Sequence, residues 1–188
     1  FCCIENDFTL PDESAHVATV DRVLSQLRVA ADCGATHVRL FAGFTPTPRM
    51  TPDLWARMLD AFAVCDQLCE DLGLLIAIET HGAIAFSADG SAVHQGPPTT
   101  DPDGLRRLAR DLPPRVGFNF DPGNIKAVRP EDEDYCLSII DSRINYCHLK
   151  DWRRRGDGWD AVAIGDDAMD YGPLLARMSF DGVYLIEY

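Results

Sequence analysis

The chain has 188 residues, 46% of them hydrophobic, with 30 acidic against 17 basic side chains, a net charge of -13 and a pI near 4.6. Such a composition supports a buried core and excludes disorder and coiled coil, while the acidic balance excludes a binder of nucleic-acid phosphates, which needs Lys and Arg. No apolar run approaches the roughly 18 residues a membrane helix needs, and the N-terminus lacks the basic-then-apolar layout of a signal peptide, so a soluble cytoplasmic protein with neither membrane nor nucleic acid as partner is expected.

In chain order, short apolar strands alternate with amphipathic helices. Strand Cys2 to Glu5 precedes helix Ser14 to Cys33; His37 to Ala42 precedes Pro52 to Leu72; and Leu74 to Glu79 precedes Asp103 to Leu112. Val116 to Asp121 then precedes Glu131 to Asp141, Ile144 to Leu149 precedes Tyr171 to Met178, and Val183 to Glu187 ends the series. Gly34, Gly73 and Pro113 are the stop signals of the first three helices. The strands are nearly all-apolar runs rather than alternating ones, as expected of a parallel sheet buried on both faces. A nucleotide-binding doubly wound sheet would place a Gly-rich turn after its first strand, and Asn6-Asp7-Phe8-Thr9 is not one.

These features predict an α/β protein with a TIM (β/α)8 barrel, in one domain spanning residues 1–188. A complete barrel takes about 250 residues. The six strands placed in this chain therefore predict an incomplete barrel that lacks the first two units and the last helix.

The seven cysteines form no even disulfide framework. Cys65 and Cys69 share the apolar face of a helix with Leu59, Phe62 and Leu72 and read as core residues. The Arg153-Arg154-Arg155 triplet reads as a solvated face, with a substrate phosphate as the alternative.

Polar residues gather after the apolar runs: Glu5, Glu79 with His81, Asp121 with Asn124, His148 with Lys150 and Asp151, and Glu187. In a parallel barrel the C-terminal strand ends share one face, where active sites lie. Carboxylates from Glu79, Asp121 and Glu187 placed together there would repel unless a cation joined them. Three carboxylate oxygens and one imidazole suit a divalent cation such as manganese, magnesium, cobalt or zinc.

Four segments resemble the xylose isomerase-like TIM barrels, and in particular their sugar phosphate isomerase/epimerase branch with its tagatose epimerase-like enzymes. They are Ile76-Ala77-Ile78-Glu79-Thr80-His81, Phe118-Asn119-Phe120-Asp121-Pro122-Gly123-Asn124, His148-Leu149-Lys150-Asp151 and Tyr184-Leu185-Ile186-Glu187. The resemblance implies that Glu79, Asp121, His148 and Glu187 bind one metal ion, that Glu79 and Glu187 also handle protons, and that the protein is a homo-oligomer. His81, Asn124 and Lys150 are the candidate contacts to a small-molecule sugar or polyol.

Two features depart from the family pattern. Asn124 stands where many epimerases carry a substrate-contacting His, and Gly165-Asp166-Asp167-Ala168 lacks the second Gly of a Gly-acid-Gly segment. The expected function is a metal-dependent isomerase or epimerase that works by proton transfer through an enediolate. A dehydratase on the same fold and a noncatalytic binding barrel are the alternatives. In the blander reading the acids form an ion-pair network with Arg residues or Lys150, His148 is a core histidine, and His81, His94, Glu5 and Asp151 serve as loop or capping residues.

Overall fold

The computed structural model describes residues 1–167 and 169–187; Ala168, at the end of the departing Gly165 segment, and Tyr188 lie outside the described residues. Strand β1 (Cys2–Cys3) leads to α1 (Glu13–Asp32), β2 (His37–Leu40), a 3-10 turn (Thr47–Arg49), α2 (Pro52–Leu72) and β3 (Leu75–Glu79). Next come β4 (Ala83–Phe86), β5 (Ala92–Gln95), α3 (Pro102–Asp111), β6 (Gly117–Phe120), α4 (Pro122–Val128) and α5 (Leu137–Ile140) with a 3-10 turn (Asp141–Arg143). The chain continues through β7 (Ile144–Leu149), β8 (Asp151–Arg155), β9 (Gly158–Val162), α6 (Tyr171–Arg177) and β10 (Tyr184–Ile186).

Side-chain caps start the longer helices where the sequence offers them. Asp12 accepts from the Ala15 amide, Thr51 from Leu54 and Asp101 from Gly104, and Pro52 and Pro102 occupy the first helical positions, where a missing N–H costs nothing. Helix α2 ends at Gly73, whose φ of 70° is a left-handed conformation that glycine adopts without steric cost.

The six expected strands form one parallel sheet in the order β1-β2-β3-β6-β7-β10. Its core is apolar on both faces, with Leu40, Ile76, Ile78, Phe118, Phe120 and Cys147 fully enclosed. The sheet curls: Phe1, beside β1, stacks on Tyr146 of β7 with ring centroids 3.6 Å apart, although β2, β3 and β6 separate the two strands in the sheet. It is an open section of a barrel with β1 and β10 as its edges, and Val183 and Ile186 beside and in β10 are exposed.

Two expectations need correction. The helix over Glu131 to Asp141 shrinks to α5 because Tyr135 and Cys136 take positive φ (50° and 59°), and the Asp132 and Asp134 side chains accept amides that a helix would use. The segments after β3 and β7, read from sequence as loops, build a second, antiparallel sheet in the order β4-β5-β9-β8. Its buried Ala92, Trp152 and Trp159 pack on Ala127 of α4. Among the described residues no helix is long and apolar enough to cross a membrane.

Candidate metal centre

Each predicted ligand sits at the C-terminal end of a strand of the curled sheet. Glu79 is the last residue of β3, Asp121 follows β6, His148 lies near the end of β7, and Glu187 follows β10, where its amide donates to the Leu149 carbonyl. Parallel register brings them together, with Glu79 opposite Asn119 and Leu185 opposite His148. Each offers one ligand atom, and these atoms all lie within 4.8 Å of one another, a spacing that can hold a metal ion. Glu79, Asp121 and His148 are buried and Glu187 is partly open to solvent.

The surrounding groups hold this constellation in place. Asp121 caps α4 by accepting the Asn124 amide at 3.0 Å, and the Thr80 hydroxyl accepts from the Asp121 amide and donates to its carbonyl, tying β3 to β6. The Asn124 side-chain amide donates to Asp121 Oδ2 at 3.0 Å and Glu79 Oε1 at 3.2 Å, so the residue that departs from the family pattern bridges two of the carboxylates. Lys150 Nζ lies 2.8 Å from Glu187 Oε2 and 3.2 Å from Asp121 Oδ2.

The electrostatics follow from burial and these neighbours. Burial pushes Asp121 up to about 7, with Lys150 opposing the rise. Burial acts on Glu79 in the same direction, but His148, His81, Lys150 and Arg39 outweigh it and hold the carboxyl below its ordinary value. Glu187 is held well below the usual range by His148 and Lys150. For His148 burial favours the neutral ring, yet the Glu187 and Glu79 carboxylates facing it prevail and hold it at about 9. Its Nδ1 is 3.1 Å from Glu187 Oε2, and neither ring nitrogen completes a hydrogen bond. The enclosed imidazole nitrogens, which complete no hydrogen bond, fit coordination to a cation.

The other candidates fall into place around this centre. His81 is partly buried, its ring 5.0 Å from that of Phe41, and burial lowers its pKa. His94 is buried on β5 against Trp152, and Glu5 pairs with Arg39 at 2.8 Å. Asp151 is a capping residue: its carboxylate accepts the Trp152, Gly165 and Asp167 amides and lies 3.8 Å from buried Lys126 Nζ. Arg153, Arg154 and Arg155 are exposed on β8, and Cys65 and Cys69 are free thiols buried in the core.

Sequence reasoning missed Arg39. It is buried in β2 with Nε 3.2 Å from Glu79 Oε2 and its guanidinium 4.0 Å from the Phe41 ring centroid. Its signal was an Arg within an apolar strand, because a buried charge requires a partner.

No curated protein matches the chain. Among solved structures, a xylose isomerase domain protein from Planctomyces limnophilus superposes with a TM-score of 0.75 at 18% identity, over 97% of this chain and 62% of that one. The IOLI protein, solved with a binding zinc atom, gives 0.74 at 16% identity over 100% of this chain and 66% of that one. D-allulose 3-epimerase from Methylomonas sp., in complex with D-allulose, gives 0.71 at 15% identity over 96% and 59%. The chain thus spans about three fifths to two thirds of the length of these structures, which share its fold. The model of one family matches residues 1–188 from end to end. With its parallel strands, its curl and its acid-and-histidine cluster at the strand ends, this chain belongs to the xylose isomerase-like TIM barrel family.

Proposed function

We propose that this protein binds one divalent cation, manganese, magnesium, cobalt or zinc, through Glu79, Asp121, His148 and Glu187, and isomerises or epimerises a sugar or sugar-like polyol. The observation that carries this reading is the convergence of four ligand atoms within 4.8 Å at the ends of four parallel strands. The zinc bound by one structural relative and the D-allulose bound by another support it.

A divalent cation held by Glu79, Asp121, His148 and Glu187 would supply Lewis-acid stabilisation for charge that builds on the substrate carbonyl oxygen. The chain's own carboxylates move the proton. Glu187, more open than Glu79, accepts a proton from the carbon beside the carbonyl as the C–H electron pair forms the enediolate. For the epimer, Glu79, having first taken a proton from solvent, delivers it to the opposite face of that carbon; for the isomer, the proton returns to the former carbonyl carbon while the neighbouring hydroxyl proton passes to the former carbonyl oxygen. Lys150, His81 and the free Asn124 Oδ1 are the groups for substrate hydroxyls.

A second reading is favoured by the Arg39–Glu79 and Lys150–Glu187 contacts: a noncatalytic barrel whose strand ends are held by ion pairs. Manganese titration of wild type and His148→Ala, followed by incubation with ketoses in deuterated water, separates the two. One equivalent of metal bound by wild type and lost in His148→Ala, with deuterium entering the sugar beside its carbonyl, supports the enzyme. A folded wild-type protein that takes up no divalent ion leaves the ion-pair barrel.

A further inference from the structure

Lys150 brings a positive charge to the oxygens that the metal reading assigns to a cation. Its Nζ is within 2.8 Å of Glu187 Oε2 and 3.2 Å of Asp121 Oδ2, and its side chain is only 9% exposed. An ammonium and a divalent ion sharing those two carboxylates would sit within a few ångströms of each other, and at that distance like charges repel strongly in a buried setting.

The backbone at Lys150 cannot relieve the conflict. The Tyr171 hydroxyl accepts from the Lys150 amide at 3.1 Å and donates to its carbonyl at 2.5 Å. Gly123 packs so closely from the other side that a Cβ there would stand 2.5 Å from the Lys150 carbonyl oxygen. With Cγ also packed against Gly123, movement is left to the outer methylenes and the ammonium of the side chain. From its position on the carboxylates, Nζ already lies 5.9 Å from the centroid of the Trp152 ring, whose face attracts an ammonium that moves toward it.

From this arrangement we infer that Lys150 and the metal ion are alternative partners of Asp121 and Glu187, and that metal loading drives the Lys150 ammonium off these carboxylates toward Trp152 and the substrate. The inference rests on the metal reading above. Lys150 is then a built-in counter-ion. It holds the carboxylates together before loading, weakens metal affinity, and becomes available to a substrate oxygen once the cation arrives.

The test is manganese titration of wild type, Lys150→Met and Lys150→Arg, each with a melting curve in the absence and presence of metal. Removal of the competing charge in Lys150→Met should tighten binding by about tenfold or more. The same variant should melt lower without metal and gain more from it, whereas Lys150→Arg should bind no tighter than wild type. Equal or weaker binding by a folded Lys150→Met, beside a wild type that binds normally, overturns the competition and leaves the metal reading standing. Failure of wild type and Lys150→Met alike to bind manganese sinks both.

A second measurement needs no variant. Lys126 and Lys150 are the only lysines of the sequence, so acylation followed by peptide mass mapping reports on each directly. Manganese should raise the modification of Lys150 relative to Lys126, which faces Asp151 instead. Unchanged or reduced labelling of Lys150 would overturn the inference.

Discussion

Arg39 Nε lies 3.2 Å from Glu79 Oε2, with both side chains almost wholly enclosed, so the strand beside β3 supplies a fixed positive charge to a buried carboxylate of the centre. Removing one partner of such a pair leaves the other charge buried alone. Arg39→Met should therefore cost about 3 kcal/mol of stability. Urea unfolding measures the loss, and saturating manganese should restore part of it by neutralising Glu79. A variant as stable as wild type would show that Glu79 does not depend on this partner.

Asn124 joins Glu79 to Asp121 through one amide group. Groups that orient ligands typically change metal affinity by about 10- to 100-fold when they are removed. Asn124→Ala should weaken manganese binding to that extent with its secondary structure intact. Asn124→Asp should be less stable than Asn124→Ala without metal, because it adds a carboxylate beside two others. Calorimetric titration and circular dichroism check both outcomes.

Burial holds His94 at about 4, below its usual 6.5, because the enclosed ring cannot be hydrated as a cation. Between those values the unfolded chain binds a proton that the folded chain does not, so stability falls as pH drops from about 6.5 to about 4. The contribution is on the order of 3 kcal/mol. Unfolding midpoints of wild type and His94→Phe at several pH values isolate it, since the variant should lose less stability over that window. Parallel curves for the two proteins would refute the assignment.

Burial also pushes the Cys65 and Cys69 thiols up to about 12, while Cys3 and Cys33 are exposed. Because the thiolate is the reactive form, iodoacetamide should modify Cys33 and Cys3 in the native protein and spare Cys65 and Cys69 until denaturant is added. Peptide mapping gives the answer. Early labelling at Cys69 would mean that α2 opens readily.

The parallel sheet was legible because its strands are largely buried on both faces, which writes them as mostly apolar runs such as Leu75–Ile78 ahead of Glu79. The ligand cluster was legible for the same reason: charged side chains at the ends of such runs stand out, and parallel register gathers them. The antiparallel sheet was not. In β4 the apolar Ala83–Phe86 has a largely exposed face, and β5 is secured by partners far along the chain, including Ala92 opposite Trp159. No local pattern records such a pairing. Helix α5 fell short because, of the four acids in a row from Glu131 to Asp134, Asp132 and Asp134 bind backbone amides with their side chains instead of leaving them to a helix.

The antiparallel sheet is assembled from two separate pieces of chain, one leaving the Glu79 strand and the other leaving the His148 strand, and Ala92 opposite Trp159 is the register pair that joins them. Neither hairpin is a complete module. A chimera that transplanted β4–β5 alone onto a related barrel would leave the seam with no Trp159 to face, and one that transplanted β8–β9 alone would strand Trp152 and Trp159 without their cover. Recombination at this rim has to exchange both inserts together.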